Sequence, residues 1–282
     1  MIRICSDSTC DLSDELVSRY GITIIPLHIV LGDREYRDRV EISQEEIFEW
    51  ADRNKSTPKT SAVSYEDASD FVRPMLDAGD EVIIFTISSS MSTTENVFRM
   101  VAEDLGATDR MHVIDSMNLS TGIGLLVVEA AVMAKEGYSS SEIVKEIERL
   151  RPKVRASFVI DTLTYLARGG RCSSVVALTG GILKIHPKIV VRDGKMDVAK
   201  KYRGQLRAVV MDYVKDMHDE LLGARRQRVF ITHTSFDREM VEEVRAYLES
   251  LGYFDEILET RAGGVISSHC GPGTLGVLFI EG

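Results

Sequence analysis

Between residues 88 and 94 the chain reads SSSMSTT, six hydroxyl side chains in seven positions. They follow the apolar, β-branched run 82–87 and precede a stretch in which Val97, Met100 and Val101 recur at helical spacing. A continuous apolar run marks a strand buried on both faces of a parallel sheet. A helix that starts directly after it offers unpaired backbone N–H groups and the positive end of its dipole. Strand, hydroxyl-rich turn and helix N-terminus together compose an anion site at the carboxyl end of a sheet. Ser and Thr are also ordinary helix caps, but capping would use two of the six.

Two further strand ends share this habit, at 6–9 (SDST) and at 116–121 (SMNLST). The polar segment 53–63, RNKSTPKTSAV, shows no periodicity and carries Thr57, Thr60 and Ser61. It reads as a linker, and scaffold-held loops often carry binding groups. His269 lies in SSHCGPG, where glycines and a proline predict a tight loop rather than a helix face. Such a turn lets backbone approach a ligand closely, and imidazole titrates near neutrality. A lone histidine is as readily structural. Arg168 and Arg171 flank two glycines in RGGR. The motif reads either as a glycine helix cap with solvent-facing arginines or as a clamp on a carboxylate or phosphate. Gly122-Ile123-Gly124 opens like a dinucleotide turn, but Val127 stands where the third glycine belongs, so close helix–strand packing is the expected reason. No G-K-[ST] and no G-x-S-x-G sequence is present. An acyl hydrolase or phosphotransferase using Ser92 and His269 stands as the alternative reading.

The elements that must position these groups alternate in the first half. Strands are expected at 2–6, 22–31, 82–87 and 111–115, with Pro26 marking an edge or bulge. Helices are expected after the capping residues Ser43, Ser64 and Ser139, and at 121–135. This alternation predicts a parallel sheet with helices on both faces, a three-layer α/β/α domain over 1–152. The second half contains the best hairpin signal, Asp193-Gly194 between 185–192 and 195–202, and then strand–helix–strand units. It predicts a second α/β domain with a mixed sheet over 153–282. The ligand-bearing turns all lie at carboxyl ends of strands, where such sheets bind ligands.

Composition narrows the function. The 282 residues are 44% hydrophobic and 28% charged, enough for a sizeable core. A net charge of −10 argues against nucleic acid or an anionic membrane as the main partner, transient membrane contact aside. Cysteines 5, 10, 172 and 270 have neither C-x-x-C nor zinc spacing and are expected to be free buried thiols. The start, MIRICSDS, reads as a strand without a leader, and the longest apolar stretch, 123–134, contains Glu129 and is too short to span a bilayer. A cytoplasmic protein is expected.

Several motifs together resemble those of the DegV family of bacterial fatty-acid-binding proteins. They are DSTCDL (7–12), TSAVS (60–64), ISSSMSTT (87–94), VIDSMNLSTGIG (113–124), YLARGGR (165–171), HPKIVVRDGK (186–195) and HCGPGTLGV (269–277). The resemblance runs from 2 to 280 and rests on their order and spacing. It implies the two-domain EDD fold with a long-chain fatty acid between the domains, no cofactor and no catalysis. Hydroxyls would hold the carboxylate, and an apolar tunnel, with Ile87, Met91 and Phe98 as neighbouring candidates, would hold the tail. It also implies presentation of the fatty acid to a separate fatty acid kinase, which makes an acyl phosphate for phospholipid synthesis. The family's Thr-Ser pair falls on Thr60 and Ser61, its helix-start serine on Ser92, and its histidine on His269. Its two arginines fall on Arg168 and Arg171. Ala62 and Val63 replace a common Gln-Pro. Thr93 replaces a usual glycine and would put a second hydroxyl beside the carboxylate.

Overall fold

The computed structural model describes residues 1–176, 178 and 185–282. The first half runs β1 (Ile2–Asp7), α1 (Asp14–Tyr20), β2 (Thr23–Ile25), β3 (His28–Leu31), β4 (Arg34–Arg37), α2 (Gln44–Asn54), β5 (Lys59–Ser61), α3 (Tyr65–Asp77), β6 (Glu81–Thr86), α4 (Thr94–Asp104), β7 (Met111–Asp115), α5 (Thr121–Lys135) and α6 (Ser140–Leu150). The second runs β8 (Val154–Val159), α7 (Thr164–Gly169), α8 (Ser173–Val176), β9 (Ile185–Arg192), β10 (Lys195–Arg203), α9 (Leu206–Asp216), α10 (His218–Leu222), β11 (Ala224–His233), α11 (Arg238–Ser250), β12 (Ile257–Arg261), α12 (Gly264–Cys270) and β13 (Leu275–Glu281).

Local sequence accounts for most of these boundaries. Ser43 and Ser139 form reciprocal capping boxes with Glu46 and Glu142, and Ser64 caps α3 through the Asp67 N–H. Gly21 ends α1 in the left-handed region, φ 67°. The apolar run of β6 pairs in parallel with β1 and β7 and is buried along its length after Glu81.

The parallel sheet has the order β2-β1-β6-β7, and a six-stranded mixed sheet has the order β10-β9-β8-β13-β11-β12. Only β11 and β12 pair in parallel within the second sheet. The fold is therefore the expected α/β arrangement of a parallel and a mixed sheet. A third sheet, β4-β3-β5, was not expected. Pro26 does more than mark an edge: the predicted strand 22–31 is two strands in two sheets. Proline has no N–H for the ladder, and Leu27 gives its own N–H to Ser8 Oγ at 3.1 Å instead. The supposed linker 53–63 contains β5, which pairs antiparallel with β3 so that Thr60 faces Ile29.

α5 lies between the two main sheets, packing on β1 and β6 of one and on β8 and β13 of the other. Every residue from Thr121 to Val128 is buried, as a helix apolar on all sides requires. A β-carbon on Gly124 would come within 2.9 Å of Cys10 O, so this glycine serves close packing rather than a dinucleotide turn. Thr121 Oγ1 meets Thr232 Oγ1 at 2.6 Å, and Thr232 meets Thr260 at 3.0 Å, tying α5 to the second sheet. Glu129, on the same helix, pairs with Arg225 and Arg228 of β11. All four cysteines are buried and free.

Candidate functional site

Thr60, Ser61, Ser92, Arg171 and His269 meet around one cavity of about 50 Å3. Leu27, Ile87, Met91, Leu119, Val265 and Ile266 supply most of its apolar wall. A smaller space of about 20 Å3 shares Leu119, Ile266 and Cys270 and continues to Phe158 and Leu278 of the mixed sheet. Phe98 is fully buried elsewhere in the core and does not line it.

His269 is not in a loop. It sits in the last turn of α12, and the Gly-Pro-Gly segment begins only after the helix ends, with Gly271 at φ 77°. Seven residues opening on a glycine, behind a glycine N-cap, have little helical propensity. The helix is imposed by buried acceptors from distant segments. Asp11 accepts from the Gly263 N–H at 2.8 Å and from Ser120 Oγ at 2.5 Å. Asp38 accepts from the Gly264 N–H at 2.8 Å, from Val265, and from Ser8 Oγ at 2.7 Å. Gln44 bonds Ala262 O and Ser267 Oγ. A β-carbon on Gly264 would lie 2.5 Å from Ile29 Cδ1 and 2.9 Å from Asp38 Oδ1, so glycine admits both the core and the carboxylate.

The imidazole at the other end meets Thr60 Oγ1 through Nε2 at 2.7 Å. Its Nδ1 is buried and has no hydrogen-bond partner among the described residues. Gly169 packs directly on it: a β-carbon there would overlap Nδ1. The left-handed cap of α7 is Gly170, φ 69°, and not Gly169 as expected; Gly169 is the last residue of the helix and makes room for His269. Burial, aided by the Arg171 guanidinium, pushes the His269 pKa down to about 4, so the ring is neutral at pH 7. Arg171 donates from Nη1 to Gly169 O at 2.8 Å and from Nε to Met91 O at 3.4 Å, which places its charge at the rim.

Of the six hydroxyls at 88–94, only that of Ser92 lines the cavity. Ser88 Oγ bonds Gly194 O at 2.7 Å, joining the turn to the β9–β10 hairpin. Ser89 Oγ bonds Asp115 at 2.6 Å. Ser92 Oγ accepts from the Thr94 N–H at 3.3 Å and lies 2.9 Å from Thr94 Oγ1, so it also caps α4. Thr93, expected beside the carboxylate, is exposed and makes no capping bond. Ser92 takes the inward position and the helical turn rotates the next residue away. Met100 likewise points out, 48% exposed, and Phe98 fills the core position. Arg168 is exposed on α7 and does not line the cavity.

The sequence reading missed the carboxylates. Asp7 accepts from the Ile87 N–H at 2.8 Å and so fixes the start of the hydroxyl turn. Asp7 and Asp11 stand in a polar turn after a strand, and nothing local signals their burial. Burial pushes Asp7 up to about 6 and Asp11 up to about 8, against the bonds that each accepts, and it raises Asp38 as well.

The sequence profile described as an uncharacterised protein, DegV family, matches residues 1–282. The chain belongs to the DegV family. A DegV domain-containing protein of Caldanaerobacter subterraneus is 35% identical over 282 residues, covering 99% of each chain. Among solved structures, this DegV chain is similar to a fatty-acid-binding DegV family protein from Thermus thermophilus. The TM-score is 0.91, with 31% identity and 99% of each chain covered. It is also similar to a stearic acid-binding protein from Eubacterium ventriosum, with TM-score 0.86 and 28% identity over 100% of this chain and 98% of that one.

Proposed function

We propose that this protein binds a long-chain fatty acid, with its carboxylate at Thr60, Ser61 and Ser92 and its tail along the apolar wall. The observation that carries the reading is the meeting of Thr60, Ser92 and a neutral His269 at the polar end of an otherwise apolar cavity. In this reading His269 Nε2–H donates to Thr60 Oγ1, which leaves the Thr60 proton for the carboxylate. Ser92 Oγ, already an acceptor from Thr94, has its own proton free. Hydrogen bonds to a charged group contribute about 1.5–3 kcal/mol each. Tail burial contributes about 0.8 kcal/mol per CH₂ before ordering costs. The tail therefore supplies most of the affinity and the hydroxyls set orientation. The residues shared by the two cavities, Leu119, Ile266 and Cys270, are the first barrier along its path.

We take 1–152 and 153–282 as the two domains, with the ligand between them. We further propose a carrier rather than a catalyst, which presents the fatty acid in the cytoplasm to a fatty acid kinase through Arg168 and Arg171. A Ser-His-Asp triad needs a carboxylate on the imidazole Nδ1, and His269 Nδ1 faces Gly169 instead. Burial also holds Cys270 up to about 12, too high for a nucleophile. Among the described residues no helix is long and apolar enough to cross a membrane.

Mass analysis of lipid extracted from the purified protein, followed by titration with added fatty acids, tests the binding. Bound or saturably binding acid is expected; a protein that holds none and takes up none overturns the proposal. Arg171→Ala is expected to keep the lipid and lose kinase-dependent phosphorylation, and normal phosphorylation would remove that role.

A further inference from the structure

β8 and β9 pair through only three residue pairs, Ser157 with Val190, Phe158 with Ile189 and Val159 with Lys188. On their far edges β8 follows β13 for its whole length and β9 follows β10. The ladder between them ends at Ser157 and Val190, and two positions further on the same register would set Arg155 directly opposite Arg192. Like charges directly opposite destabilise a strand pair, which disfavours extending the ladder that far. A groove of about 560 Å3 opens beside the gap, lined by Arg151, Arg155, Lys188 and Arg192 against only Asp193 and Glu220. That local excess of cations stands out in a chain with 34 basic and 44 acidic side chains.

The cations are incompletely partnered. Arg155 pairs with Glu281, but Lys188 and Arg192 make no ion pair or side-chain hydrogen bond among the described residues. Lys188 is half-buried, its ammonium 5.6 Å from the centre of the Tyr213 ring, and burial lowers its pKa below the usual lysine range. Arg151 gives one N–H to Asp115 O at 3.0 Å, while its Nε is buried and unpartnered. Val154, Val190 and Phe279 give the groove an apolar side.

We propose that this groove binds a phosphorylated small molecule, its phosphate between Arg151, Lys188 and Arg192 and its organic part against Phe279. Guanidinium and ammonium groups lining one groove suit a multi-oxygen anion better than a single carboxylate. The volume falls within the roughly 300–1,000 Å3 of small-molecule sites. An anion at the gap screens the repulsion that disfavours extending the ladder. The site is separate from the fatty-acid cavity and shares no lining residue with it.

Calorimetric titration of the full chain with pyrophosphate, and then with ATP, tests it. Saturable binding is expected, weakened at least tenfold by Lys188→Met and by Arg192→Gln, unchanged by Arg171→Ala, and with fatty-acid loading intact in both groove variants. Arg192→Glu replaces the like-charged pair with an opposite one and is expected to abolish pyrophosphate binding while raising Tm. Absence of saturable binding to either probe overturns the proposal. So does undiminished binding in the Lys188 and Arg192 variants, or loss of binding in Arg171→Ala, which would put the anion at the other cavity.

Discussion

Five residues separate the two ends of α12. At Gly264 the helix is held by Asp38, with Asp11 beside it on Gly263. At His269 it reaches the cavity and leans on Thr60 and Gly169. Burial acts on both ends and favours the uncharged form of each, raising the carboxylates and depressing the imidazole. The carboxylate end has few freedoms left, since each acid is spanned by two or more donors. The imidazole end keeps a nitrogen without a partner among the described residues. One short helix thus has two different ends: its beginning is fixed by carboxylates and its end reaches the cavity. Substitutions at the beginning should act mainly on stability, and substitutions at the end mainly on affinity.

The largest expected effect is at the anchored end. Asp38→Ala leaves the Gly264 and Val265 N–H groups and the Ser8 hydroxyl without their acceptor, and should lower unfolding free energy by about 4 kcal/mol. Denaturant unfolding measures this, and an unchanged midpoint would end the comparison. Gly169→Ala comes next. Its β-carbon displaces the imidazole, so fatty-acid affinity should fall by about tenfold to a hundredfold with a stability loss of about 1–2 kcal/mol. Equal affinity in titrations would show that the ring has room to move. Ser92→Ala should weaken fatty-acid binding by roughly tenfold, one hydrogen bond to a charged group. Thr93→Ala should leave it unchanged, and equal losses in the two would mean that the turn acts as a whole.

The two ends also differ in sign on the pH profile of stability. His269 titrates at about 4 in the fold against an ordinary 6.5, so the folded state binds fewer protons between these values. The stability it contributes is complete above 6.5 and is lost as pH falls towards 4. Asp11 runs the other way: raised to about 8 from 3.8, it contributes stability that is complete below 3.8 and is lost as pH rises through 8. His269→Gln should remove the acid-side fall, and Asp11→Asn should flatten the neutral-side decline, both read from unfolding free energy against pH. A His269→Gln profile that still falls from 6.5 to 4 would assign that limb to other groups.

Periodicity and capping made much of the fold legible. The α5 boundaries, the capping boxes at Ser43 and Ser139, and the Asp193-Gly194 hairpin all follow from local chemistry. β4 and β5 were not legible, because three or four polar residues become strands only by pairing with β3. α12 was hidden for the related reason that its stabilisers, Asp11, Asp38 and Gln44, are more than two hundred residues away in sequence. Of the hydroxyl run at 88–94, Ser92 alone lines the cavity. Ser88 and Ser89 serve the hairpin and Asp115, partners that no local pattern reveals. Thr60, Ser92 and His269 could be brought together only through their resemblance to a family, since none lies near another in the chain.

On the proposed function, α5 bears on how the fatty acid would enter and leave. The helix is a common wall between the sheets, and prising them apart would wet its flank. Uncovering three of its buried residues, such as Leu125, Leu126 and Val128, costs roughly 5–9 kcal/mol, comparable with the net stability of a whole domain. That cost disfavours opening as a clamshell and favours exchange through a local opening, and the glycine turn at Gly169 and Gly170 lies beside Arg171, which lines the cavity.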